Sequence, residues 1–231
     1  MLDQACPLTI AEPMAGVIEV LKQTRLMAIV QAPRREELIA RAAAAAKGGL
    51  TLLALPVSVP FVAEIAAEVA DAAEDVTVGL SDVLHADHVS LALAAGAEFV
   101  LSPIFDPELI QTSRARGIEI VPSVSTPNEL HQASRIHSGP IAVVPAEGLG
   151  GVEYFAWLHR AFPAVELVAF GGIGSDRAPL YLERGAAAVV VDTGLFPAEM
   201  DPESAAVIAM RASALVELCA DVVVGQRQSQ A

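Results

Sequence analysis

Lysine is almost absent from this chain. Lys22 and Lys47 are the only two in 231 residues, and Lys plus Arg together number fourteen against 28 Asp plus Glu, a formal charge of -14. So acidic a chain is poorly suited to nucleic acid or an anionic membrane, because both reward Lys and Arg. Cysteine is equally scarce. Cys6 and Cys219 lie near opposite ends, which makes no disulfide framework and reads as two small buried or partly buried thiols in a cytoplasmic protein. Long apolar runs are missing too. The longest, 50–63, contains Pro56 and Pro60 and falls short of the roughly 20 residues a spanning helix needs. The first residues, Met1-Leu-Asp-Gln-Ala-Cys6, offer neither a basic nor an apolar stretch, so no signal peptide is expected. What the chain has in quantity is apolar residues, 54% of the total, and that excludes disorder.

The apolar residues come in short runs rich in Val, Ile, Leu and Ala: 26–30, 50–55, 76–80, 98–101, 118–121, 141–144, 165–170 and 187–191. Continuous runs of this length fit strands buried on both faces, as in a parallel sheet. Between them lie segments of helical character at 36–47, 62–73, 88–95, 107–114, 127–136, 152–162 and 176–184. A leading helix over 11–22 and a closing helix over 203–220 complete the pattern. Eight strand-helix units at this spacing predict an α/β fold, a single-domain (β/α)8 TIM barrel. A doubly wound open sheet shares the rhythm but usually has five or six strands. The division expected is a helical extension over 1–24, the barrel over 25–222 and a polar tail over 223–231.

Local punctuation agrees. Thr126-Pro-Asn-Glu129 has the form of a capping box with Pro at the first helical position. Asp106 and Ser175 are candidate N-caps. Lys47-Gly48-Gly49 and Arg184-Gly185 place a cation and then glycine where helices end.

Chemistry-bearing residues are few at the strand ends, where such barrels carry their sites. Ser58, Ser102, Ser123, Ser125 and Thr193 fall there, without a His and acid at a spacing that makes a nucleophile. His85 and His88, with Asp82 and Asp87 beside them, could share one helical face as weak metal candidates; a polar helix entry is the plainer reading. His131, His137 and His159 lie on or near outer helices and are expected at the surface. Gly172-Ile173-Gly174 reads as a glycine turn able to hold an anion. Of the basic residues, only Arg34, Arg35 and Arg177 follow strand ends directly.

Several strings, in order, resemble the 2-keto-3-deoxy-6-phosphogluconate (KDPG) and 4-hydroxy-2-oxoglutarate (KHG) aldolase family. They are Lys47-Gly-Gly-Leu50, Ala94-Ala-Gly-Ala-Glu-Phe-Val-Leu-Ser-Pro103, Pro107-Glu-Leu109, Pro122-Ser-Val-Ser-Thr-Pro127, Pro145-Ala-Glu147 and Gly171-Gly-Ile173. The resemblance implies a (β/α)8 barrel, a trimer and no metal or other cofactor. It also implies a Schiff-base lysine on the sixth strand and a proton-transfer glutamate on the second. Carried across, the lysine position is Ala142 and the glutamate position is Ala54. Ser58 stands for an arginine found in many members, Asp82 for a threonine, and Gln31 for a first-strand arginine. At the phosphate region Gly171 and Gly172 persist, but Phe170 replaces a hydroxyl residue, and Val191-Asp192-Thr193 replaces Gly-Gly-Ser. Val191 is expected to obstruct a phosphate and Asp192 to repel it if it points inward.

The resemblance thus implies an aldolase-like barrel without the imine machinery. It would be a non-classical or inactive homologue, a pseudoenzyme, binding a small 2-keto acid or sugar acid, or a protein partner. The ligand candidates are Gln31, Ser58, Pro103, Pro122, Gly171, Gly172 and Thr193. The alternative is an active carbon–carbon lyase with a rearranged or metal-assisted site, for which Glu147 and Asp82 are the weak catalytic candidates.

Overall fold

A computed structural model describes residues 16–73, 75–201 and 203–222. Cys6, the expected helical residues before 16 and the polar tail lie outside the described residues. The chain opens with α1 (Gly16–Thr24), β1 (Leu26–Ile29), α2 (Arg35–Lys47), β2 (Leu52–Pro56), α3 (Val62–Ala72) and β3 (Thr77–Ser81). Then come α4 (Ala86–Ala94), β4 (Phe99–Leu101), α5 (Pro107–Ala115), β5 (Glu119–Val121), β6 (Ser123–Val124) and α6 (Pro127–Ile136). It ends with β7 (Ile141–Val143), α7 (Gly151–Ala161), β8 (Leu167–Phe170), α8 (Ala178–Glu183), β9 (Ala188–Val191) and α9 (Ser204–Ala220).

All strand pairs are parallel, in the order β5-β4-β3-β2-β1-β9-β8-β7-β6. The fifth apolar run, 118–121, gives β5, and the strand resumes as β6 beyond Pro122, which has no N–H to donate. The segment 119–124 still bonds on both sides: Ser102 N–H donates to the Val121 carbonyl (3.0 Å) and Ala142 N–H to the Pro122 carbonyl (2.8 Å). β5 and β6 together therefore form the fifth barrel strand, and the sheet closes through them. This is the expected (β/α)8 barrel, with β7 as its sixth strand.

Side chains alternate between two buried clusters, as the two-residue period of a strand requires. The inner cluster holds Met27, Ile29, Leu52, Ala54, Phe99, Leu101, Val121, Ala142, Val168, Phe170, Ala188 and Val190. Val17 and Leu21 of α1 join it, so this helix closes the N-terminal end of the barrel. The outer cluster, between strands and helices, takes the alternate residues, among them Leu53, Leu55, Val100, Val189 and Val191. Val191 therefore faces the helices. The expectation that it obstructs the barrel mouth is corrected by its place in the alternation, one residue after inward-facing Val190.

The capping box forms: Thr126 Oγ1 accepts from Glu129 N–H (3.3 Å), while the Glu129 carboxylate accepts from Thr126 N–H (2.8 Å). Asp106 caps α5 by accepting from Glu108 N–H at 2.9 Å. Ser175 caps nothing, because α8 starts only after Arg177. His137, expected at the surface, is half-buried beside Gly139, and burial pushes its imidazole below the ordinary value.

The interior is close-packed where β3 meets β4. Gly79 pairs with Phe99, and a Cβ added to Gly79 would lie 2.4 Å from the Phe99 ring. The ring is fully buried and cannot swing away, so Gly79→Ala is expected to destabilise the fold by about 1–3 kcal/mol in urea denaturation. Adding Phe99→Leu should recover part of the loss. Gly79→Ala as stable as wild type would contradict this packing.

Candidate functional site

The C-terminal ends of the strands carry the loops on which such a barrel builds its site. The loop after β7 and the loop after β8 meet there. Glu147 projects from the first of these, half-buried, and gathers two partners from the second βα unit. Arg177 Nε donates to its Oε1 at 3.1 Å and Arg177 Nη2 to its Oε2 at 3.3 Å, a bidentate pair. The Tyr181 hydroxyl donates to Oε1 at 2.9 Å. Burial first, and then the Glu147 carboxylate, push the Tyr181 phenol well above its ordinary value. Phe155 meets the Tyr181 ring edge-on with centroids 5.5 Å apart, which fixes the phenol over Glu147.

A second cluster lies beside the first. Gly171 and Gly172 follow β8 with φ of 99° and 79°, a conformation favouring glycine. Both oxygens of Asp192, just after β9, lie 3.1 Å from Gly172 N, and Oδ1 also lies 3.1 Å from Ile173 N. The two amides donate to this carboxylate. Asp192 thus neither projects freely into the barrel nor stands idle in solvent.

The remaining candidates are spread around the rim. Ser58 and Thr193 are exposed, Pro103 is half-buried and Pro122 is buried. Gln31 has an exposed side chain, and its carbonyl accepts from Arg41 Nη1. Asp82 has φ of 59°, and Ser81 Oγ donates to its Oδ2 at 3.4 Å. The His85 and His88 rings are 5.3 Å apart, but His88 Nδ1 accepts from Leu84 N–H at 3.1 Å, leaving one ring nitrogen of His88 for other work. Among the described residues no group of three or more His, Cys, Asp or Glu could hold a metal ion.

Sequence reasoning missed two residues. Tyr181 was legible in principle, since it stands four residues after Arg177 and so shares its side of the turn. Buried Arg41 was not: it also donates to the carbonyls of Pro197 (2.9 Å) and Ala198 (3.3 Å), far away in sequence. It ties the loop after β1 to the loop after β9.

The sequence model of the KDPG and KHG aldolases matches residues 17–210. This chain belongs to the KDPG and KHG aldolase family. The 2-dehydro-3-deoxy-phosphogluconate aldolase of Treponema pallidum is 31% identical over 160 residues, covering 69% of this chain and 76% of that protein. Its Haemophilus influenzae counterpart is 25% identical over 170 residues, covering 72% and 78%. The fold agrees with that of the Zymomonas mobilis 2-keto-3-deoxy-6-phosphogluconate aldolase with 3-phosphoglycerate (TM-score 0.78, 21% identity, 90% of this chain and 97% of that one). It also agrees with the Legionella pneumophila KDPG aldolase in which pyruvate was captured as a covalent carbinolamine (TM-score 0.73, 23% identity, 89% and 97%).

Within this aldolase-family barrel, the inner positions of the second and sixth strands are the buried side chains of Ala54 and Ala142. Neither lysine approaches them. Lys22, in the last turn of α1, pairs with Glu166 just before β8 (3.0 Å) with 43% of its side chain exposed. Lys47 ends α2, exposed, at the N-terminal side of the barrel.

The Tyr181–Glu147 pair has a signature in pH. The folded chain holds the phenol proton to higher pH than the unfolded chain does. Its contribution is therefore complete below about pH 10 and is lost as pH rises beyond that value. Tyr181→Phe is expected to cost about 1 kcal/mol near neutrality. It should also flatten the fall in stability above about pH 10 relative to wild type. Parallel alkaline slopes in urea denaturation would show that the phenol is not held in this way.

Proposed function

We propose that the chain is a non-classical or inactive homologue of the aldolases, binding a small 2-keto acid or sugar acid at the C-terminal end of the barrel without forming an imine. One observation carries this reading: both lysines stand at the N-terminal side, solvated, while Ala54 and Ala142 occupy the inner face of the second and sixth strands. A Schiff base needs an amine of lowered pKa in a desolvated pocket. A carbinolamine with pyruvate, as captured in the Legionella pneumophila relative, likewise needs an amine at the carbonyl. Alanine offers none, and it offers no acid to move a proton.

The ligand would lie among Gln31, Ser58, Pro103, Pro122, Gly171, Gly172 and Thr193, which the fold distributes around or beneath the rim. A homo-oligomer, a trimer by resemblance, belongs to the same reading, as does a cytoplasmic setting. Phe61 and Met210, exposed by 72% and 65%, are apolar surface that a subunit or another protein partner would cover.

Borohydride reduction in the presence of pyruvate is expected to leave the intact mass unchanged; a trapped pyruvyl adduct overturns the reading. Thermal shift with a panel of 2-keto acids and sugar acids should show stabilisation by at least one member through mass action. Aldol cleavage abolished by chelator would instead favour a metal-assisted lyase using Asp82, Glu147, His85 and His88.

A further inference from the structure

We infer that Asp192 makes this barrel mouth select against phosphorylated ligands, because its carboxylate occupies the backbone amides that would otherwise receive a phosphoryl group. The inference rests on the barrel mouth being the ligand site, and it narrows the ligand to acids without phosphate.

Consecutive backbone N–H groups in a turn can converge on one point, and such a concavity binds anions. Gly171 and Gly172 supply that backbone, and the amides of Gly172 and Ile173 converge. The point of convergence is already taken. Asp192 Oδ1 accepts from both amides and Oδ2 from Gly172, each at 3.1 Å. A free anion would have to displace a carboxylate that is tethered within reach of the same donors.

The neighbouring cation is committed as well. Arg177 forks onto Glu147 at 3.1 and 3.3 Å. Asp176 adds a further acid: it acts electrostatically on Arg177, and its Oδ1 lies 2.7 Å from where a Cβ on Gly174 would sit. Three carboxylates, Glu147, Asp176 and Asp192, thus border this turn beside the Arg177 guanidinium, with Arg211 Nη1 donating to the Gly194 carbonyl (3.2 Å) nearby. A phosphate dianion entering here meets satisfied donors and a negative surplus, whereas a small acid held elsewhere on the rim meets neither in full.

The pair 3-phosphoglycerate and glycerate, which differ only by the phosphoryl group, isolates this effect. Both are titrated into wild type and Asp192→Ala by calorimetry, with inorganic phosphate alone in parallel. The amide resonances of Gly172 and Ile173 are followed by NMR. Wild type is expected to bind 3-phosphoglycerate less than about tenfold tighter than glycerate, with both amides unmoved by phosphate. Asp192→Ala is expected to prefer 3-phosphoglycerate by about tenfold or more and to shift both amides, since charge-assisted N–H bonds become available. A tenfold phosphoryl preference in wild type overturns the inference, and so does a folded variant that gains none. Asp192→Gly serves if the alanine variant does not fold, and the wild-type arm can overturn the inference alone. Inorganic phosphate separates the two readings. If the variant gains phosphate binding while neither protein binds glycerate or pyruvate, the inference holds and the small-acid ligand falls.

Discussion

Closure of the parallel sheet is the constraint from which the other features follow. Once β1 pairs with both β2 and β9, and the segment 119–124 bridges β4 to β7, no strand edge is left to satisfy among the described residues. Each strand then has one face toward the barrel axis and one toward the helices, and both must be apolar. Register is consequently rigid, since a slip of one residue would exchange the inner and outer sets. This fixes Ala54 and Ala142 inward and Val191 outward. It also forces Gly79 to yield its space to the Phe99 ring. With α1 closing the N-terminal end, polar chemistry is left to the loops at the opposite mouth.

At that mouth the chain turns its charges onto one another. Glu147 holds Arg177 and Tyr181, and Asp192 holds the amides of Gly172 and Ile173. Each is a carboxylate satisfied by donors of its own chain. Taking a carboxylate partly out of water costs free energy unless donors replace the water, so these contacts serve the fold. The arrangement differs from that of an open cationic pocket awaiting a phosphorylated substrate, although the frame is that of an aldolase family whose structures include one with 3-phosphoglycerate.

Most of the frame was legible from period and punctuation. The helix over 127–136 starts where its capping box announces, because that cap is local and its partners are three residues apart. The barrel itself followed from eight apolar runs at near-regular spacing. Errors arose where a distant contact decides. The fifth strand outruns its apolar run because, beyond Pro122, Ser123 N–H reaches the Ile104 carbonyl and the Val124 carbonyl accepts from Val144 N–H. Ser175 loses its helix because the chain first turns through Gly174 to Arg177. His137 is half-buried, its ring lying against Gly139 near Ile18 of α1. Arg41 joins carbonyls at opposite ends of the chain, and nothing in its surroundings in sequence announces them.

The sequence by itself determined the composition of the barrel: its alternating apolar runs, its caps, and the restriction of lysine to positions 22 and 47. These are properties of residue type and short spacing, and folding does not alter them. Only the tertiary structure decided direction. It placed both lysines on the N-terminal side, turned Val191 away from the mouth, set Tyr181 and Arg177 on one carboxylate, and brought Asp192 onto amides twenty residues earlier in the chain. The reason is that a side chain's partners across a closed sheet are chosen by register and twist, which link residues far apart in sequence and leave no trace in the spacing of either one.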